Sequence, residues 1–339
     1  MSIGRQTLSR IVRSRETPLV GLLIVVIVGN ALLQRNFFQI HIIRNNINSL
    51  APFVLLTMAQ AIIIIAGGLD LSLGTAASLA NCVLATIMVQ GAPETGIYAL
   101  VFALIVCVAM GFINGYLIGV LRLNCVVITF CTSFVWLGVA LAFRPLPGGY
   151  VHSWFRGFYN MARVENAPPI LLAIGNFIPP VVLLIVFGIV LWGVISKTKL
   201  GRYIYATGGN EEGAYATGLR PGLVIIAANV IAYLFVFLAA VFITAQNMSG
   251  DAYVAREMTL ITVAGAVLGT AMIGGGTGKV WLTIIAAIIL QMVIKLMLFA
   301  GIPSVYHTVI QGFMIVAVTA AMIRMRMRKS SVSSKEVLE

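Results

Sequence analysis

Two short segments concentrate the residues able to do chemistry. The first, GGLDLSLG at Gly67–Gly74, sets one carboxylate, Asp70, between two long apolar runs. Paired glycines, Gly67 and Gly68, weaken a helix, and Asp70 is a residue type that caps the next one. If the flanking runs cross a membrane, a carboxylate at that depth is a functional candidate by default. Asp70 therefore has two readings of equal weight, a plain N-cap in a tight turn or a group facing a solute pathway. Gln60, Asn81 and Asn114 are polar within neighbouring apolar runs. They are candidates, with Asp70 and Ser72, to line a pathway for a polar solute; the plainer alternative is hydrogen bonding between helices.

The second segment is the polar stretch SKTKLGRYIYATGGNEEGAYATGLRPG, Ser196–Gly222. Asn210 caps a helix by accepting from free backbone N–H groups, and Glu211 and Glu212 fall in its first turn, where the dipole favours carboxylates. Gly218 suits the left-handed residue that ends a helix, and Pro221 stops continuation. The pattern predicts a helix of about two turns, too short to persist alone in water. It must dock, either on this chain's own helix ends or, as the stronger reading, on a soluble partner.

Other chemistry-like features dissolve on inspection. The run GGGTGKV at Gly274–Val280 imitates a phosphate-binding loop, but a Walker A motif needs G-x-x-x-x-G-K-[ST]. Here Gly274 and Gly278 are one residue too close and Val280 follows Lys279. Gly274, Gly275 and Gly276 are read instead, with Gly67, Gly68 and Gly74, as helix-junction glycines. The histidines, His41, His152 and His307, are far apart, and Cys82, Cys107, Cys125 and Cys131 lie in apolar segments without metal-ligand spacing. The chain is expected to hold no metal or cofactor and to hydrolyse no ATP. An integral membrane enzyme would need a cluster of His, Asp, Glu or Cys at one depth, which the sequence lacks.

The elements that must position these residues follow from composition. The 339 residues are 60% hydrophobic and 9% charged, against about 25% charged in a soluble domain. Mean hydropathy is +1.03. A soluble enzyme and a disordered chain are both excluded, and the expectation is an all-α polytopic membrane protein. Apolar runs near 19–33, 49–66, 72–90, 96–121, 124–143, 177–195, 223–247, 258–273, 280–300 and 308–323 make about ten transmembrane helices. Gln34–Asn48 is expected at the membrane interface. Glycines at 111, 115 and 119, and at 265 and 269, form small faces for close helix packing.

Ten spans put both ends on one side. The tails and same-side loops hold fifteen basic residues, among them Arg122, Lys197, Lys199, Arg202, Arg220 and Lys279, against six on the other side. The positive-inside rule makes both termini cytoplasmic and Arg144–Asn176 external. It also accounts for the net charge of +12 without nucleic acid as a partner. Lys295 alone falls within a span, where snorkelling to the interface is the main reading and a pore-facing role the other. The expected organisation is a cytoplasmic tail, 1–18, a transmembrane domain, 19–323, carrying the cytoplasmic loop 196–222, and a second tail, 324–339.

The GGLDLSLG hairpin, the TGGNEEGAYATGLRP loop, GGGTGKVWLTIIAAIIL and RPLPGGYV at Arg144–Val151 together resemble the permease subunits of monosaccharide ABC importers, the ribose-type branch most closely. The resemblance implies a multi-pass permease of the bacterial inner membrane that pairs with a second permease copy, identical or not. It implies ATP-binding cassette subunits on the cytoplasmic side and an external substrate-binding protein as partners. It places the coupling role on Gly209, Asn210, Glu211, Glu212, Ala214 and Gly218, with Gly213 standing where alanine is more usual. The competing function is an ion-coupled secondary sugar transporter using Asp70 and Lys295.

Overall fold

The computed structural model describes residues 16–34, 36–159, 180–270 and 275–303, with scattered positions in 306–316. Most of the first expected tail, residues 160–179, His307, Gly274, most of the last expected span and the whole second expected tail lie outside the described residues. Among the described residues the chain is helical, with only two isolated bridges of extended backbone. The helices are α1 (Glu16–Leu33), α2 (Ile40–Ile65), α3 (Leu73–Ile87), α4 (Thr95–Gly119), α5 (Cys125–Phe143), α6 (Pro180–Lys197), α7 (Lys199–Gly209), α8 (Glu211–Ala216), α9 (Pro221–Asn247), α10 (Met258–Thr270) and α11 (Val280–Phe299). A 3-10 turn, Ser153–Phe158, follows α5.

Five of these, α2, α4, α5, α9 and α11, are long and apolar enough to cross a bilayer. The α6–α7 pair passes the same test together but bends by 79° at its junction, while α1, α3 and α10 are shorter apolar helices. Helix α2 is buried without a break from Leu50 to Ile65, packed by α9, α10 and α11. A helix apolar on every face is stable only when enclosed in this way. Its start lies earlier than the apolar run alone suggests: Ile40–Asn48 belongs to the same helix.

Glycines set a close approach between α4 and α9. A Cβ on Gly115 would come within 2.7 Å of Ile226 Cα, and one on Gly119 within 2.6 Å of the Gly222 carbonyl. The small stripe on α4 is a packing face, as its four-residue spacing predicts. The outward faces of α4 and α5 stay apolar and exposed, with Ile105, Phe112, Val126, Phe130 and Phe134 among them. Cys82 and Cys107 are buried and Cys131 is on that outward face.

Connections alternate between two ends of the bundle. At one end the turns after α2, α4, α7 and α10 gather: Gly276 N–H donates to the Ile65 carbonyl at 2.9 Å, and Arg122 pairs with Glu211. At the other, Gly148 and Gly250 exchange backbone bonds of 2.9 and 2.7 Å, and Arg144 donates to the Ala85 carbonyl and Thr86. Lys295 Nζ donates to Asn46 Oδ1 at 2.8 Å, joining α11 to α2. His152, expected at an interface, is buried with Nε2 3.0 Å from Thr95 Oγ1.

Candidate functional site

Helix α3 has 15 residues, about 22 Å at 1.5 Å per residue. An α3 that crosses a hydrocarbon core ~30 Å thick would draw the irregular segment Ala66–Ser72 into it. Backbone there survives only if its polar groups are met by protein. Gly67 turns the chain off α2 at φ 93°. With its amide oriented by its partners, Gln60 donates to the Asp70 carbonyl at 2.8 Å and accepts from the Asp70 N–H at 3.1 Å. Leu71 N–H donates to Thr129 Oγ1 on α5 at 3.0 Å.

The Asp70 carboxylate is buried and surrounded by donors. Oδ1 accepts from the backbone N–H and the hydroxyl of Ser72, each at 2.6 Å. Oδ2 accepts from Tyr233 on α9 at 3.1 Å and from Asn114 on α4 at 3.3 Å. Asn114 Nδ2 is also 3.0 Å from Ser72 Oγ and 2.8 Å from the Tyr233 hydroxyl. An ionised carboxylate is acceptor-only and can use all four donors. Oδ1 thus serves the start of α3, while Oδ2 ties that start to two other helices.

The structure brings Gln60, Asp70, Ser72 and Asn114 into one network. Asn81 belongs elsewhere: it donates to Thr244 Oγ1 at 2.8 Å and to the Ser249 carbonyl, and accepts from Asp251 N–H at 2.8 Å. All five polar candidates are buried within the chain. Gly74 packs the start of α3 against Ala255 and Thr259.

The loop 196–222 folds as predicted around Asn210, whose Oδ1 accepts from Gly213 N–H at 2.8 Å to cap α8. Gly213 has its own reason: a Cβ there would press on the Asn210 side chain at 3.1 Å. Gly218 takes φ 85° just past the helix end, and Leu219 N–H returns to the Ala214 carbonyl. Ala214 is the buried contact of α8, whereas Glu212 is exposed and Tyr215 is 70% exposed. The helix is not isolated, since α7, capped by Thr198, precedes it directly.

Helix α7 ends on a glycine junction. A Cβ on Gly208 would fall on the Ile65 carbonyl, and one on Gly275 on the Gly208 carbonyl. Gly67–Gly68, Gly208–Gly209 and Gly275–Gly276, three motifs far apart in sequence, thus meet backbone to backbone. A cleft of about 440 Å³ opens beside them, lined by Gly67, Arg122, Asn124, Thr207, Asn210, Glu211 and Asn229. Among the described residues no group of His, Cys, Asp and Glu could hold a metal ion.

Three participants went unread: Tyr233, Thr129 and helix α7. Tyr233 had a signal, because it and Asn229 stand one turn apart on the helix that faces the Gly111–Gly115 stripe.

Comparison with known proteins adds an independent finding. A protein family described as "Branched-chain amino acid transport system / permease component" matches residues 42–319. The ribose import permease protein of Escherichia coli (strain K12) is 24% identical over 316 residues, 92% of this chain and 94% of that protein. The D-allose transport system permease protein of the same organism is 26% identical over 79% of this chain and 78% of its own length. The autoinducer 2 import system permease protein of Yersinia enterocolitica is 27% identical over 84% of this chain and 76% of its own. No solved structure matches the chain to a significant degree.

Proposed function

Because this chain belongs to the family of branched-chain amino acid transport system permease components, we propose that it is the membrane-spanning subunit of an ATP-driven importer for a monosaccharide. The sugar class follows from the relatives, whose names specify ribose, D-allose and autoinducer 2. ATP hydrolysis belongs to separate cassette subunits in the cytoplasm, and delivery to an external binding protein. A second permease copy completes the pathway across the inner membrane.

The observation that carries this reading is α8, a capped helix of six residues held outside the bundle with Glu212 and Tyr215 turned to solvent. Such a helix gives a soluble ATPase a grip on the membrane domain. Its underside meets the Gly67 turn through α7, so force on α8 reaches the irregular segment at Asp70. Re-orientation of the bundle around that segment is alternating access.

The ion-coupled carrier has no support. Its one carboxylate, Asp70, already accepts four hydrogen bonds, and Lys295 is engaged by Asn46 on another helix. The energy source tests the proposal directly. Sugar uptake by cells expressing the complete importer should fall with vanadate, which arrests ATP hydrolysis, and persist with a protonophore while ATP is maintained. The reverse pattern would favour a carrier.

A further inference from the structure

Between α4 and α5 the chain turns on Val120–Asn124. Val120 and Leu121 N–H return to the Tyr116 carbonyl and Leu123 N–H to the Leu117 carbonyl at 3.2 Å. This closure places Arg122 in the left-handed region, φ 57°, where helices usually end on glycine. An arginine at such a position is uncommon, and here its guanidinium pairs with Glu211, the first residue of α8. The side chains are 56% and 41% exposed, so the pair contributes little to stability. Its significance is geometric. The rest of α8 packs on α7 and α9, its neighbours in sequence, whereas Arg122 reaches it from another pair of helices.

What Arg122 leads to is also on the page. Helix α5 begins three residues later, with Asn124 as its cap. One turn into α5, Thr129 accepts from Leu71 N–H and lies 3.3 Å from the Leu69 carbonyl, on either side of Asp70. Arg122 and Glu211 line the same cleft as Gly67, Thr207 and Asn229. The coupling helix is therefore joined to the irregular segment twice, by backbone contact through Gly208 and Gly67, and by this ion pair through α5.

We propose that Arg122 is a positioning residue, which ties the α4–α5 turn to α8 so that a displacement of α8 carries α5 with it. The proposal rests on the reading of α8 as the ATPase-docking helix. Without the tie, the ATPase would still bind and turn over, but less of its work would reach the membrane helices.

The test uses the complete importer in proteoliposomes, reading sugar transported per ATP hydrolysed. R122G keeps the left-handed turn and removes the guanidinium; R122E and E211R oppose like charges; R122E/E211R restores the pair in reverse. R122G and R122E should co-purify with the ATPase yet lose about fivefold or more in transport per ATP, the lower range of typical coupling energies; E211R, on the docking helix itself, is read only as the parent of the double variant. The double variant should recover to within about threefold of wild type, as expected for residues that interact. R122K, which keeps the charge, serves as the measure of insertion. Wild-type stoichiometry in R122G, or a double variant no better than its worse parent, overturns the proposal. The docking reading fails separately: Y215A/E212K complexes that assemble and hydrolyse ATP as wild type would sink it whatever the charge swap does.

Discussion

Asp70 gathers its partners from four helices, and the chemistry of each bond dictates what a substitution does. Asp70→Ala leaves the Ser72 N–H, Asn114 and Tyr233 facing a gap, and an orphaned buried polar group costs about 1–3 kcal/mol. Asp70→Asn keeps an acceptor for Ser72 but points N–H groups at Asn114 and Tyr233. Thermal unfolding of the purified permease should rank wild type above Asp70→Asn above Asp70→Ala, with uptake in the same order. Tyr233→Phe should lose about 1 kcal/mol, a typical net value for one hydrogen bond. Equal stability of Asp70→Ala and wild type would show that the network holds nothing. Most of this cluster was legible because Gln60, Asp70, Ser72 and Asn114 are polar letters in apolar text. Tyr233 was not, since a tyrosine amid phenylalanines reads as packing until its hydroxyl is seen to have an address.

At the scale of elements, the junction of Gly67, Gly208 and Gly275 makes a sharper demand than any helix stripe. Gly208→Ala forces a methyl onto the Ile65 carbonyl, where the nearest atoms are backbone. Overpacking of this kind costs about 1–3 kcal/mol, and here it would also separate α7 from the end of α2. The expected result is strongly reduced uptake with the protein still inserted. Gly138→Ala, on α5 with nothing within 4 Å, is the matched control and should behave as wild type. If the two variants transport alike, the junction is looser than its geometry. Helix α8 was readable from Asn210, Glu211 and Gly218 because caps are local. Helix α7 was not: Gly201, Gly208 and Gly209 look like loop residues, and only the chain folded against Ile65 gives them their reason. Likewise, the polar residues of Gln34–Asn48 put the start of the apolar run near residue 49, but Asn46 meets Lys295 and Asn48 is buried, and α2 begins at Ile40.

For the whole molecule, contacts at the two ends of the bundle sort the turns as an alternating chain should. Turns bearing Arg122, Lys197, Arg202 and Lys279 fall at the same end as α8, and the Arg144 and Gly250 turns at the opposite end. By the charge rule the α8 end is expected to be cytoplasmic. Single cysteines at Ser153 and Ser334, in a background lacking the native four, should divide accordingly. An impermeant thiol reagent outside should label Ser153→Cys and spare Ser334→Cys; the opposite pattern would invert the protein. The sorting of basic turns to one end was legible because charge asymmetry is a property of composition. Which polar groups meet inside was not, because partners such as Asp70 and Tyr233 are separated by 163 residues.

That separation has a consequence during synthesis. A chain made from its N-terminus folds its early parts first, so Asp70 enters the bilayer long before the ribosome reaches Tyr233. Gln60 and Ser72 are the partners already present, and between them they hold the backbone and one carboxylate oxygen of Asp70. The newborn hairpin of α2 and α3 thus carries its own provisional shelter in lipid. Asn114 arrives two helices on, and Tyr233 closes the cluster when α9 is threaded in, which makes that late helix the step at which the Asp70 network becomes complete.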